Sequence, residues 1–455
     1  MECFTVMSEE IEERIDPYFY RPEFKLMYKK LSKVKLVSFG EIIKTLINGF
    51  DYRDFTEEGL TYLRVSNIKP FEFCLDEVKK ISPDFNIAKK IKLEKGNLLI
   101  TRKGTFGVAL SLDKDENFII SSEIFKIELL ENINPKFIEI ILNSSIGQKQ
   151  FDKYKIGAIM GSLSQEAIKQ IKIPLPPLET QNKIVQLMNK SYSSKKSKEA
   201  ESQQLLDSIN NYVLNELGIK LPELKDKMIY VVDSEEVQNK RADAYYYQPK
   251  FEEVEKAVKK GKFEVKGLKG IVAELLSGQR PKGGVRQINE GVPSLGGEHV
   301  LSDGKIATTD LKFIPKEFHK RQLKSKVQKR DIIIVKDGAT TGKVGIIPED
   351  YPFEEANINE HVFLLRVKKD INPYYVFSII KSKLGQVQIS REITGGTIMG
   401  IIRETTESLK IPLPPLAVQN KIAEEVKKRM QKAEQLQKEA KEELEKAKLK
   451  LKELF

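Results

Sequence analysis

Cysteine is almost missing from these 455 residues: Cys3 and Cys74 stand alone, with no spacing partner. Two isolated thiols exclude a disulfide framework and a zinc site built on paired cysteines. The three histidines, His299, His319 and His361, all fall in the second half and lack metal-ligand spacing. No apolar run is long enough to span a bilayer. Residues 1–7 lack the charged start and apolar stretch of a secretory signal. The sequence therefore predicts a cytoplasmic chain with no membrane contact and no metal. Positive charge, by contrast, is in excess, with 77 Lys and Arg against 66 Asp and Glu, a net charge of +11 and a pI near 9.1. That balance favours a polyanionic partner, nucleic acid first.

The chain is built twice. Ile173-Pro174-Leu175-Pro176-Pro177-Leu178-Glu179-Thr180-Gln181-Asn182-Lys183-Ile184 returns as Ile411-Pro412-Leu413-Pro414-Pro415-Leu416-Ala417-Val418-Gln419-Asn420-Lys421-Ile422, 238 positions later (412 − 174). Upstream, Arg14, Asp16, Tyr18, Tyr20, Pro22 and Phe24 reappear as Arg241, Asp243, Tyr245, Tyr247, Pro249 and Phe251. Asn134-Pro135, Ile141, Ser144, Gly147 and Gln148 match Asn372-Pro373, Ile379, Ser382, Gly385 and Gln386, and Ile159-Met160-Gly161 matches Ile398-Met399-Gly400. One repeat covers roughly residues 8–228 and the other 234–455. A period this long exceeds the ~20–50 residues of solenoid units and indicates a tandem pair of domains.

Each repeat reads as a mixed α/β globular part followed by a helix. Asn97-Leu98-Leu99-Ile100 and Asp331-Ile332-Ile333-Ile334-Val335 are short apolar runs that predict buried strands. Asn134-Pro135 and Asn372-Pro373 fit a helix cap followed by proline at the first helical position. At each repeated joint, proline locks an extended stretch that breaks straight into a helix. Ile184, Met188, Leu206, Ile209, Val213 and Leu217 suggest a helical stripe, which the polar stretch from Ser193 to Gln204 interrupts. The second stripe is cleaner: Ile422, Val426, Met430, Ala433, Leu436, Ala440, Leu444, Ala447, Leu451 and Leu454 step by threes and fours, as in a coiled-coil seam. Two such helices in one duplicated chain favour pairing with each other.

Several fragments imitate catalytic motifs. Asn372-Pro373-Tyr374-Tyr375 resembles a methyltransferase signature, but its counterpart Asn134-Pro135-Lys136-Phe137 keeps the cap and loses the aromatic pair. The turn from Gly338 to Val344 resembles a P-loop yet is one residue short and lacks the hydroxyl that would hold magnesium. No nucleophile–base pairing recurs in both copies, so the sequence predicts a binder rather than an enzyme.

Two cationic, glycine-bearing turns are the candidate grips on nucleic acid. One contains Arg102, Lys103, Gly104 and Thr105, the other Lys336, Gly338, Thr340 and Lys343. Glycine lets backbone approach a phosphate, with N–H groups forming an anion nest and flanking cations adding charge. A second place holds Arg53 in one copy and Arg280 and Lys282 in the other. Beyond these lie Arg64, Asn67 and Lys69, and Arg286, Gln287 and His299, with side chains of the kind that read base edges. The joints agree between the copies while these loops diverge, as two scaffolds reading two different sequences would.

The doubled joint, with its Arg-x-Asp-x-Tyr-x-Tyr-x-Pro opening and the following helix, resembles the specificity subunit of type I restriction–modification systems. The resemblance covers essentially the whole chain. It implies two tandem α/β (mixed α+β) DNA-recognition domains, separated by two long helices paired as an antiparallel coiled coil in a pseudo-twofold duplication. The implied boundaries are 1–178 for the first recognition domain, 179–230 for the first helical spacer and linker, 231–416 for the second domain and 417–455 for the second spacer. Each domain would read half of a bipartite, asymmetric site in double-stranded DNA. The resemblance also implies docking of two methyltransferase subunits, with Pro176, Pro177, Gln181, Pro414, Pro415 and Gln419 at the joints. S-adenosylmethionine would sit on those partners, no cofactor on this chain, and separate translocase–nuclease subunits would add cleavage. The competing expectation is a scaffold or regulator whose coiled coil mediates protein association.

Overall fold

The computed structural model describes residues 4–11, 14–31, 34–82, 91–157, 161–238, 241–285, 288, 290–396 and 399–453. Ile159, Met160, Arg286, Gln287, Ile398 and Leu454, all singled out above, lie outside the described residues. Two compact units emerge, Met1–Ser197 with Glu439–Phe455, and Lys198–Lys438. The dividing line cuts both long helices, Leu178–Leu217 and Leu416–Glu453, so each unit owns a segment of each.

In the first unit a four-stranded antiparallel sheet has the spatial order Ile43–Asn48, Ile124–Leu129, Leu98–Thr101, Ala109–Ser111. Leu98–Thr101 is buried along its whole length, as its apolar run predicts. A second sheet pairs Phe118–Ile120 in parallel with Leu60–Leu63. The helix Pro135–Asn143 closes one face, its Asn134 cap accepting from the N–H groups of Lys136 and Phe137. The second unit repeats this plan. Its antiparallel sheet runs Val272–Ser277, Val362–Val367, Ile332–Val335, Val344–Ile346, and Val292–Leu295 pairs in parallel with Asn357–Ile358. Asn372 caps Pro373–Lys381 in the same way. The Asn-Pro-Tyr-Tyr fragment is therefore a helix start.

The repeated joint is a strand before it is a helix. Lys172–Pro174 pairs antiparallel with Leu36–Ser38, and Lys410–Pro412 with Val265–Gly267. Two residues later proline removes the donor that a longer strand would need, and a long helix begins at Leu178 or Leu416. Gln181 and Gln419 close this corner. Each is buried, its Oε1 accepting at 3.0 Å from the backbone N–H of Asn134 or Asn372, its Nε2 donating at 2.9 Å to the carbonyl of Pro176 or Pro414. Asn134 and Asn372 add a side-chain bond to Asn182 and Asn420. The long helix is thus clasped to the cap of a shorter one inside its own unit.

The polar stretch of the first long helix does not interrupt it; the helix is continuous from Leu178 to Leu217. In the second unit Ser202 is buried and its Oγ donates to the carbonyl of Ala433 at 3.0 Å, Arg429 bonds Ser208 and Lys421 pairs with Glu216. Partner numbers rise on one helix as they fall on the other, so the pair is antiparallel. In the first unit Ser194 donates to Glu443 at 2.7 Å, and Ile184 and Met188 share a core with Leu444, Ala447 and Leu451. Small hydroxyl residues take the place of large apolar ones where the helices come close. Ile422, Val426, Met430, Ala433, Leu436 and Ala440 of the predicted seam are all buried.

Candidate nucleic-acid interface

In each unit a polar triplet sits between two buried apolar stretches, Ser121-Ser122-Glu123 in one and Asn359-Glu360-His361 in the other. It leads into the middle of the central sheet and ties the surrounding loops together through its backbone. The N–H of Ser121 donates to the carbonyl of Leu63, that of Ser122 to Phe50, and that of Arg102 to Glu123, all between 2.8 and 3.0 Å. In the second unit Asn359 donates to Leu295 and Lys336 to His361. Gly49 and Gly278 pass so close to this segment that a Cβ would fall 2.2 Å from the Ile120 carbonyl oxygen and 1.9 Å from that of Ile358. Only glycine fits there. Three loops carrying predicted contacts, those of Arg64, Arg102 and Arg53 in the first unit, therefore converge on one segment. The triplet itself escaped the sequence reading, although its recurrence between Ile-Ile and Ile-Phe in one copy, and Asn-Ile and Val-Phe in the other, was a usable signal.

Both cationic turns are hairpin connections, the first joining Leu98–Thr101 to Ala109–Ser111 and the second Ile332–Val335 to Val344–Ile346. No helix follows the second turn as a P-loop requires. Gly104 and Gly338 sit at φ +71° and +94°, and a Cβ there would meet nothing within 4 Å, so these turn tips are open. The anion-nest expectation needs correction for the glycines of the second turn. The N–H groups of Gly107, Gly338 and Gly342 are spent on the carbonyls of Thr101, Met399 and Val335. In the second turn the glycine N–H groups therefore add nothing to the charge carried by the side chains. Arg102 stands 5.1 Å over the ring of Phe125, and Lys336 stands 5.6 Å over the matching Phe363 while donating to Ser277 Oγ. Lys103 and Thr105 are exposed, and Thr340 and Lys343 half-buried.

Two predicted base readers are structural. Asn67 is buried, its Oδ1 accepting from the N–H of Arg64 at 2.9 Å and its Nδ2 donating to Cys74. His299 is equally buried, its Nδ1 accepting from the N–H of Gly296 at 2.9 Å. Burial holds its imidazole pKa below the ordinary value, which keeps Nδ1 an acceptor. Both residues close the same three-residue turn in their own copy, so neither faces solvent. Arg53, Lys69 and Lys282 are exposed, Arg53 within 3.7 Å of Asp51.

The second unit has a cleft of ≈ 290 Å³ bounded by Arg280, Ser294, Glu298, Lys312, Asn359 and His361. Arg280 faces Glu360 and Lys312 faces Glu298, and the His361 imidazole lies against Asp337, each at 2.5 Å. Burial alone would raise the Glu298 carboxyl, but the bond from Lys312 overcomes it and holds the pKa below the usual range. The cleft can offer both donors and acceptors to a base edge. Among the described residues no group of His, Cys, Asp or Glu is placed to hold a metal ion, and no helix is long and apolar enough to cross a membrane.

Comparison with known proteins bears on this arrangement. The family model described as the type I restriction modification DNA specificity domain matches residues 32–207 and again residues 260–446. The specificity subunit of the type I restriction enzyme EcoBI of Escherichia coli is 26% identical over 160 residues, covering 35% of this chain and 34% of that subunit. The EcoKI specificity subunit of Escherichia coli strain K12 is 31% identical over 126 residues, covering 28% of this chain and 27% of its own length. The chain thus spans about a third or less of the length of these curated relatives. Among solved structures, the S subunit of a type I restriction–modification system from M. genitalium aligns over 93% of this chain and 97% of its own, with a TM-score of 0.49 and 14% identity.

Proposed function

This chain belongs to the type I restriction modification DNA specificity family, and from that premise we propose that it serves a type I complex as the non-catalytic subunit that selects the DNA sequence. Each copy reads one half of a bipartite, asymmetric duplex site. The observation that carries this reading is a shared backbone frame with different side chains. Ser121, Ser122 and Glu123 occupy the places of Asn359, Glu360 and His361, and Arg102 that of Lys336, while the backbone bonds of Ser121 and Arg102 recur at Asn359 and Lys336. A scaffold that only held other proteins would have no use for two frames diverging at their open turns.

Methyltransferase subunits dock at the joints and along the paired helices, and S-adenosylmethionine belongs to them. Gln181 and Gln419 are enclosed in their clasps, so the docking contact falls to what the joints expose: Pro177 with Leu178, and Pro415 with Leu416, the two leucines being 43% and 46% exposed. A translocase–nuclease subunit joins the same assembly.

Replacement of residues 241–411 by the equivalent part of a relative tests the reading. Sequencing of methylated adenines in the host is expected to show one half-site changed and the other kept. A change in both halves, or in neither, contradicts two independent readers.

A further inference from the structure

The two copies differ in the hydrogen-bonding capacity they leave unused. In the first unit Nε of Arg64, Nε of Arg102 and Oγ of Ser121 are all buried with no hydrogen-bond partner. These three are not scattered. Ser121 donates its backbone N–H to Leu63, the residue before Arg64, and Arg102 donates its own to Glu123, two residues after Ser121. The segments of Arg64 and Arg102 are therefore tied to the two ends of the polar triplet. Buried donors without acceptors cost about 1–3 kcal/mol each, so a folded chain keeps them where a ligand supplies the acceptor. In the second unit the matching positions carry Gly296, Lys336 and Asn359. Lys336 donates to Ser277, and Asn359 Oδ1 accepts from the His361 N–H. The unpartnered atoms near that triplet are of both kinds, the acceptor Oε2 of Glu360 within it and the donor Nε2 of His299 in the turn that starts at Gly296, and neither belongs to a guanidinium.

We propose that Arg64 and Arg102 are the specificity-determining residues of the first copy and that they take the acceptor edge of a guanine in its half-site. This rests on the half-site reading above. The ligand must present closely spaced acceptors to a guanidinium whose Nε lies below the surface. Guanine O6 and N7 do so in the major groove, where a bidentate arginine is the commonest specific contact. A phosphate presents similar oxygens, and the experiment separates the two sources. The ring of Phe125 lies under Arg102, its centroid 5.1 Å from the guanidinium carbon, a contact that restricts where that guanidinium can go.

The test is selection of duplexes from a random-sequence pool by the full chain, comparing wild type with Arg64→Lys and Arg102→Lys. Lysine keeps the charge and loses the fork. Each substitution is expected to lower discrimination at one guanine of one half-site roughly 10- to 100-fold, leaving the other half-site unchanged. Uniform weakening across all sequences, with the salt dependence unchanged because lysine keeps the charge, assigns the arginines to phosphate and overturns the proposal. Relaxation in both half-sites, or no sequence preference by the wild-type chain, overturns the half-site reading itself. Thermal unfolding is the second measurement. Because Nε has no partner to lose, Arg64→Met and Arg102→Met are expected to leave Tm unchanged or raise it. A fall of more than about 5 °C makes the arginines structural supports and overturns the proposal.

Discussion

Glu139 occupies in the first copy the place that Phe377 fills in the second, 238 positions on (377 − 139). Both side chains are fully buried. Burial raises the carboxyl above its ordinary pKa, against the lowering pull of Lys136 at 3.0 Å and of the bonds from Ser111. A group whose folded pKa lies above the unfolded value, near 4.3, contributes stability that is full below that value and lost as pH rises through the folded pKa. Glu139→Gln is therefore expected to match wild type at pH 4 and to gain in relative Tm toward pH 8. A constant difference across that range would show that the carboxyl is not raised. The sequence held a clue here, since Glu139 sits on an apolar helical face opposite a phenylalanine in the repeat. Asn67 and His299 teach the converse. Asn and His are base readers by type, but each follows Arg64 or Gly296 by three residues, the spacing at which a side chain closes back on its own turn. Residue type pointed to DNA where spacing pointed to a local bond.

The joint, the helix starts and the buried strands were readable because each rests on local chemistry: proline's fixed φ, asparagine's capping oxygen, an unbroken apolar run. The continuity of the first long helix was not. A polar stretch looked like a gap in the seam, yet a serine with its hydroxyl turned onto a facing carbonyl packs as a small residue. Ser202 lies against Ala433, where there is no room for a longer side chain. Ser202→Leu is expected to destabilise the second unit by about 1–3 kcal/mol through overpacking, whereas Ser202→Ala costs about 0.5–1.5 kcal/mol for the lost bond. Shifts of the urea midpoint measure both. A leucine variant as stable as the alanine one would mean the helices separate freely at that point.

The spacer belongs to the whole chain. We expect the paired helices to set the gap between half-sites. Lengthening both by one heptad keeps the seam in register and adds about 10 Å at 1.5 Å per residue, or about three base pairs at 3.4 Å each. Methylated sites should then show a gap wider by that amount with both half-sequences intact. An extended chain that folds and keeps the original gap removes the helices from that role. The duplication was legible as repeated residues 238 apart at the joint (412 − 174), but which loops meet was not. The convergence on Ser121–Glu123 and Asn359–His361 depends on parallel strand pairings that join distant parts of the chain, and no local pattern encodes them.

The clasp at each joint is made from one copy alone: Asn134 with Gln181, Asn372 with Gln419. That has a consequence for inheritance. A crossover that aligned the first joint with the second would excise 238 residues (412 − 174) and leave a joint of intact sequence. Asn134 would then meet Gln419 in the geometry it now has with Gln181, and the strand Leu36–Ser38 would find the same Ile-Pro partner. The shortened chain would keep one reader and the helix Leu416–Glu453, whose apolar stripe would lack its facing helix. Burying that stripe would require a second molecule of the same kind. If each copy reads a half-site as proposed, two identical readers would then replace two different ones, and the sequence selected would change from asymmetric to palindromic in a single genetic step.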